Sequence, residues 1–174
     1  MKIDVNFNRH CNSTKDMVDS WPHAIKELIA KINNYRKNKE HLANYPWMSV
    51  FLKSDRMNAR RTEILNEATN LKDKADHWDF CYCGNLCEII PRNSSNSRPT
   101  DPALYEMGSE FEIKISGAWH RIDDERYTEA IGYLNEAAEL GRNMDERSTY
   151  IIEEQLKIEG IDWDDYVKIN TKQL

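Results

Sequence analysis

Three of the four cysteines lie within one seven-residue segment, Cys81-Tyr-Cys83-Gly-Asn-Leu-Cys87. Thiolates are soft ligands that suit zinc, and Gly84 allows a tight loop to turn several sulfurs inward. A tetrahedral site needs a fourth ligand, and His77 lies four residues before the first cysteine. The segment therefore predicts a structural zinc site whose ligands are Cys81, Cys83, Cys87 and His77.

Other interpretations of these cysteines stay open. The gaps between them are one and three residues, whereas paired zinc ligands are usually separated by two residues. Free cysteine is also among the most buried residue types, so the three side chains could simply fill a core. Redox or iron–sulfur chemistry is a further alternative, and Cys11 or His10 could supply the fourth ligand in place of His77.

Acidic side chains offer a second kind of chemistry. Glu136 and Glu139, with Glu153 and Glu154 on what reads as the next helix, resemble the acidic sets with which helical nucleotide pyrophosphatases hold magnesium. Any solvated helix face carries acids in the same way. His120 near Asp123 and Asp124 invites comparison with metal hydrolases, but one histidine near two acids is common by chance. The sequence has no glycine-rich phosphate loop, nucleophile elbow or His-Glu-x-x-His motif. We therefore predict no catalytic residue and no bound cofactor other than zinc.

The net charge of −6 is unevenly distributed along the chain. Residues 1–78 contain 14 basic and 10 acidic residues, whereas residues 79–174 contain 10 basic and 20 acidic residues. An acidic half repels nucleic acid and suits a basic protein surface, although it also serves solubility. No apolar run reaches the roughly 18 residues of a membrane span, and the first residues lack a signal peptide, so we expect a cytoplasmic protein.

The hydrophobic pattern predicts a mostly α protein, a small bundle of about five to six helices with a cysteine-rich loop. Ile3, Val5 and Phe7 alternate and predict a short N-terminal strand over 2–7. Predicted helices cover about 21–37, 55–75, 102–116, 127–141 and 145–159, and one more turn is expected over 162–167. Residues 111–116 also alternate like a strand, but the helix is preferred, with Gly117 as its end.

We expect one compact unit with a basic, helical part over 1–78 and a second part over 79–174 that holds the cysteine loop and an acidic helical hairpin. Residues 45–52 are the most apolar stretch, and Pro46 predicts a helix boundary there. This stretch either packs in the core or presents Trp47 and Phe51 as an anchor for a partner.

Two resemblances add to this pattern. The segment Cys81-x-Cys83-Gly-Asn-Leu-Cys87, followed by Ile90-Pro91-Arg92 and Leu104-x3-Gly108-x2-Phe111, resembles short uncharacterised proteins of phage and metagenomic origin over about 78–156. That likeness implies a phage accessory protein in a bacterial host cell.

The second likeness is to a single tetratricopeptide-type helical hairpin. Its residues, in order, are Gly108, Phe111, Tyr127, Ala130, Leu134 and Ala137. The chain has ten residues more than that family between Phe111 and Tyr127, and it lacks the family's closing proline. A single copy cannot stack into a solenoid, so the resemblance implies only a helical hairpin.

The leading functional hypothesis is a non-enzymatic protein-binding accessory factor, such as a phage-encoded inhibitor of a host or defence protein. Its acidic surface would bind a basic partner through Glu125, Glu129, Glu136, Glu139, Asp145 and Glu146. The alternative is a zinc-stabilised regulatory module that binds nucleic acid through Lys53, Arg56, Arg60, Arg61, Lys72 and Lys74. A small magnesium-dependent nucleotide hydrolase is the third hypothesis. The sequence does not predict the oligomeric state.

Overall fold

Four α-helices make up the described part of the protein. The structure is a computed structural model that describes residues 5–47, 54–76, 101–160 and 162, with the side chains of the first helix described from Trp21 onward. The helices are α1 (Val5–Asn44), α2 (Ser54–Ala75), α3 (Pro102–Asp123) and α4 (Tyr127–Glu159). These ranges contain no strand, so the described chain is an all-α, four-helix bundle-like arrangement.

Contacts between neighbouring helices show that each helix runs antiparallel to the next. A three-residue turn joins α3 to α4, and Lys114 reaches Glu136 across this hairpin at 2.5 Å. The indole nitrogen of Trp119 on α3 donates to the Thr69 hydroxyl on α2 at 2.9 Å. The α1 helix contacts both α2 and α4, which closes the ring of four helices.

The core lies along the axis of this ring, and every helix contributes residues at three- and four-residue spacing, as an amphipathic helix requires. The rings of Trp21 on α1 and Phe111 on α3 stack at a centroid distance of 4.7 Å, although these helices are not neighbours in the ring. This contact therefore joins two diagonal helices through the centre. The other fully buried large side chains are Ile25, Leu28, Ile32, Ile64, Leu104, Ile115, Leu134 and Met144.

Several helix ends agree with the sequence analysis. Asp101 caps α3, because its carboxylate accepts a hydrogen bond from the Leu104 amide at 2.9 Å, and Pro102 occupies the first helical position. Gly160 follows α4 with a φ of 69°, the left-handed conformation that glycine adopts at low cost. The α1 helix ends at Asn44, just before Pro46, and α2 covers nearly the predicted range.

The prediction of an N-terminal strand was wrong for the predicted residues that the structure describes. Residues 5–7 belong to α1, and residues 2–4 lie outside the described part of the chain. This helix also begins well before the predicted start at Trp21, so that Pro22 lies inside it. A proline in a helix interior removes one backbone donor, but the surrounding packing can offset that cost.

Two glycines that were predicted to end helices lie inside them. The α3 helix continues through Gly117 to Asp123, so residues 111–116 are helical, and α4 continues through Gly141 to Glu159. A Cβ atom at Gly117 would lie 2.8 Å from the Tyr133 ring, so glycine lets α3 and α4 approach closely. These corrections reduce the predicted five to six helices to four among the described residues. The predicted turn over 162–167 lies outside them except for Asp162.

Candidate functional surfaces

An acidic face runs along the outside of α4. We use the name acidic face for the exposed residues Glu129, Glu136, Glu139, Glu146 and Glu153. Successive members are seven, three, seven and seven positions apart, so they lie on the same side of the helix. Glu153 lies 24 positions after Glu129, which corresponds to a distance of about 36 Å along the helix.

Cations of the same protein neutralise the N-terminal part of the acidic face. Arg126 makes a bidentate contact with Glu129, at 2.9 and 2.6 Å. Lys114 pairs with Glu136, and this contact raises the pKa of the lysine above its usual value. Arg142 pairs with Glu139 one turn away on α4.

Among the described residues, Glu146 and Glu153 have no such ion pair. The ring of Tyr150 lies between them on the same face and is 51% exposed. The guanidinium of Arg147 lies 5.3 Å from the centre of that ring. Lys157 exerts only a weaker attraction on Glu153 from one turn away. The C-terminal part of the acidic face therefore combines carboxylates that form no ion pair with a described residue with an accessible aromatic ring.

Two other predicted partner-binding acids lie outside the acidic face. Glu125 belongs to the α3–α4 turn, where it approaches Lys39 at 2.5 Å and Arg61 at 3.1 Å. The hydrogen bond from Lys39 is the main reason why the pKa of Glu125 lies below its usual value. Asp145 is half-buried on α4. The structure thus brings four of the six predicted acids together and separates these two from them.

The turn that holds Glu125 has two further features. Glu125 has a φ of 59°, a left-handed conformation that is uncommon for residues other than glycine. Next to it, Tyr127 is buried against the edge of the Tyr35 ring at 5.5 Å, and burial raises the pKa of Tyr127 to about 12. The turn joins α1, α2 and the hairpin through charged contacts and packing.

The magnesium hypothesis required two helices to face each other, and the structure contradicts that geometry. Glu136, Glu139, Glu153 and Glu154 lie on one continuous helix, with roughly 25 Å between the first and the third. The part of the chain that the structure describes contains no group of three or more side chains suited to hold a metal ion. His120 packs its ring against Trp119 at 4.9 Å.

The predicted zinc ligands His77, Cys81, Cys83 and Cys87 lie outside the described residues, as does the predicted anchor Phe51. The alternative ligands His10 and Cys11 belong to α1, in the part whose side chains are not described. Trp47, the other predicted anchor, is 65% exposed just beyond the end of α1. The zinc site stays a prediction.

The six cations of the nucleic-acid hypothesis have different environments. Arg61 approaches Glu125 and donates to the backbone carbonyl of Asp123 at 3.3 Å, and Lys72 pairs with Asp76 at 3.2 Å. The side chains that are exposed and have no ion pair with a described residue are those of Arg56, Arg60 and Lys74. Lys53 lies outside the described residues.

Sequence reasoning missed one contact between helices. Lys31 on α1 reaches two acids of α2, Glu63 at 2.8 Å and also Glu67. These residues are 32 and 36 positions apart in the chain, and no local pattern connects them. The contact fixes which sides of α1 and α2 face each other.

Comparisons with known proteins give no family to which the chain can be assigned: no family model, curated sequence or solved structure matches it. None of the helices in the described ranges is long and apolar enough to cross a membrane.

Proposed function

We propose that this protein is a non-enzymatic accessory factor that binds a basic protein partner through the acidic face of α4. The observation that carries the proposal is the exposed part of that face formed by Glu146, Tyr150 and Glu153, whose carboxylates form no ion pair with a residue that the structure describes. Carboxylates attract a basic partner surface and orient it, and tyrosine is among the residues that contribute most to binding energy at interfaces.

Charge compensation within the protein makes the proposal more specific. Because Glu129, Glu136 and Glu139 already contact cations of the same chain, a partner gains less from them than from free carboxylates. We therefore place the centre of the interface near Tyr150 rather than along the whole helix. The resemblance of the cysteine segment implies only the setting of a phage or mobile-element accessory protein. Inhibition of a host or defence protein is the form of this function that we propose for that setting.

A partner-capture experiment with matched variants tests this proposal. The tagged protein is used to capture partners from a bacterial lysate at low salt, beside the double variant Glu146→Lys/Glu153→Lys. The control is Glu106→Lys/Asp73→Lys, which changes two exposed acids elsewhere by the same total charge. A stoichiometric partner that is retained by the control and lost by the first variant is the expected result.

Two outcomes count against the proposal. One is equal capture by both variants, because the acidic face would then have no special role. The other is the absence of any stoichiometric partner for the unmodified protein. Photo-crosslinking from position 150 then checks whether a captured protein touches the proposed centre of the interface.

A further inference from the structure

The contact between α1 and α2 consists of two parts that differ in charge balance. On α2, the residues that face α1 form one row at three- and four-residue spacing: Arg56, Arg60, Glu63 and Glu67. In the first part of the contact, both acids of this row bind Lys31 on α1. The row therefore faces α1, and its acidic half is satisfied there.

The other half of the row has cations and no carboxylate to receive them. Arg56 and Arg60 are exposed and make no ion pair with any residue that the structure describes. The nearby Glu63 is already held by Lys31 at 2.8 Å. Like charges one turn apart repel each other. Glu63 attracts Arg60, but its carboxylate is already held by Lys31, so the residues that the structure describes compensate this pair of arginines only in part.

Opposite these arginines, α1 presents polar and aromatic side chains rather than acids. Asn38 on α1 follows Lys31 at seven residues and Tyr45 at fourteen, which places both toward the side that faces α2. Tyr45 lies just beyond the end of α1, and its amide donates to the His41 carbonyl as the next helical hydrogen bond would. The rings of His41 and Tyr45 pack together at 4.9 Å, and Tyr45 is 46% exposed. The helices are antiparallel, so this end of α1 lies beside the beginning of α2.

We use the name basic seam for Asn38 and His41 of α1, Tyr45 just after α1, and Arg56 and Arg60 of α2. Exposed Trp47 adjoins it just after α1. We propose that the basic seam binds single-stranded nucleic acid, with phosphates at the two arginines and a base stacked on Tyr45. Proteins that bind single-stranded nucleic acid without sequence preference combine two features. These are cations that contact the phosphates and aromatic rings on which the bases stack.

Charge and shape favour this partner over an acidic protein. Two arginines in one row are separated by about 6 Å along the helix, which is close to the spacing of successive phosphates in an extended strand. The adjoining rings and the Asn38 amide suit bases, which an acidic peptide lacks. The acidic face lies on α4, so a bound strand would avoid it by following α1 and α2. This proposal is independent of the acidic face.

A binding titration tests the basic seam. The probe is a fluorescently labelled 12-residue oligothymidylate, and its anisotropy is followed with the full-length protein at 50 and 200 mM NaCl. Two to three phosphate contacts on a single strand predict that binding weakens about tenfold over this range of salt. Arg56→Glu/Arg60→Glu should weaken binding at 50 mM NaCl by at least about tenfold.

The matched control is Lys26→Glu/Arg36→Glu, which reverses two exposed cations outside the seam and makes the same change in net charge. It should weaken binding by less than about threefold, because only the general field of the protein changes. Tyr45→Leu should weaken binding about fivefold or more through lost stacking. If the double glutamate variant unfolds, which circular dichroism would show, Arg56→Gln/Arg60→Gln replaces it.

Three results would overturn the proposal. The first is no binding of the oligonucleotide by the unmodified protein at 50 mM NaCl. The second is an equal loss of binding in the seam variant and the control, which would indicate only a general charge effect. The third is equally strong competition by polyglutamate of the same charge, which would indicate an acidic protein as the partner.

Discussion

The α3–α4 hairpin and the α1–α2 pair are held together in different ways. In the hairpin, α3 and α4 approach closely at Gly117, and Gly141 lies against the Phe111 ring. Ion pairs follow its whole length, from Asp101 with Arg147 at the open end to Arg121 near Glu129 beside the turn. Between α1 and α2, the described ion pairs are those that Lys31 makes with Glu63 and Glu67.

This difference shows how the charges of the molecule are used. The hairpin satisfies many of its acids internally, so the free carboxylates of the acidic face are confined to its C-terminal part. The α1–α2 pair leaves Arg56 and Arg60 without an ion pair to any residue that the structure describes. The charge of a residue alone therefore does not show whether that residue is free to bind a partner. This depends on whether a neighbouring helix supplies a counterion.

The largest predicted effect concerns Phe111, which joins the two regions. Its side chain is fully buried and stacks on Trp21 of α1 while it also contacts Gly141 of α4. Phe111→Ala should lower the free energy of unfolding by about 3–5 kcal/mol, because it removes apolar contacts and leaves a cavity. Chemical denaturation followed by circular dichroism measures this change.

The matched control for Phe111 is Ile113, two residues further along α3. Its side chain is 65% exposed, so Ile113→Ala should change the stability by no more than about 0.5 kcal/mol. Equal losses in both variants would mean that Phe111 does not occupy the centre of the bundle.

The second prediction concerns the open end of the hairpin, where Asp101 both caps α3 and pairs with Arg147. Asp101→Ala should cost about 1–2 kcal/mol through loss of the cap, whereas Asp101→Asn keeps a capping oxygen and should cost less. Thermal or chemical denaturation of the three proteins at pH 7 measures the difference. Equal losses in the two variants would show that the charge, which both remove, matters more than the capping oxygen, which only asparagine keeps.

Asp101 also predicts a pH dependence of stability. The hydrogen bond from Arg147 is the main reason why its folded-state pKa lies below the usual value. A carboxyl with a depressed folded-state pKa stabilises the protein above its unfolded pKa, about 3.9, and this stabilisation is lost as pH falls through the folded-state pKa. The Asp101→Asn variant should therefore lose less stability than the unmodified protein between pH 5 and pH 2.

The third prediction compares two glycines of the hairpin. A Cβ atom at Gly117 would meet the Tyr133 ring at 2.8 Å, whereas one at Gly132 would meet nothing within 4 Å. Gly132→Ala should stabilise the protein by about 0.5–1 kcal/mol through higher helix propensity. Gly117→Ala should be less stable than Gly132→Ala by about 1–3 kcal/mol, because the gain in propensity is offset by overpacking.

The comparison of these glycines fails if both variants are stabilised equally. That result would mean that Tyr133 moves aside without cost and that the close approach of the helices does not depend on Gly117. A double variant, Gly117→Ala/Tyr133→Ala, separates the two effects, since it removes the ring that the new methyl group meets.

Parts of the fold were predictable because their causes are local. The cap at Asp101, the end of α1 before Pro46 and the apolar spacing from Tyr127 to Leu140 depend on residues within a turn or two. Gly117 and Gly141 were wrongly predicted to end helices. In sequence, a glycine that ends a helix looks the same as a glycine that lets a neighbouring helix approach closely. The spacing of Phe111, Ala118 and Ile122 across Gly117 was the available signal.

The candidate surfaces were only partly predictable. The acids of the acidic face could be found from composition and helical spacing, but their compensation by Lys114 or Arg126 depends on packing and rotamers. Arg56 and Arg60 of the basic seam were among the cations of the nucleic-acid hypothesis. Their alignment with residues of α1 could not be predicted, since it depends on Lys31 meeting Glu63 and Glu67 from another helix. The zinc prediction remains to be tested by metal analysis of the purified protein.

The smallest predicted effect concerns Glu125, which ties the α1–α2 pair to the hairpin through Lys39 and Arg61. Its left-handed backbone is unfavourable for any residue with a Cβ atom, and a glycine there would remove that cost. Glu125→Ala loses the ion pairs and keeps the strained backbone, whereas Glu125→Gly loses the ion pairs and relieves the strain. The glycine variant should therefore be more stable than the alanine variant by about 1 kcal/mol, as measured by chemical denaturation.

High salt makes the comparison at Glu125 sharper. Exposed ion pairs are screened at 1 M NaCl, so the difference between unmodified protein and the alanine variant should shrink there. Backbone strain does not depend on salt, and the difference between the alanine and glycine variants should persist. A difference between these two that disappears at high salt would mean that it does not arise from backbone strain, and that the turn does not hold position 125 in a left-handed conformation.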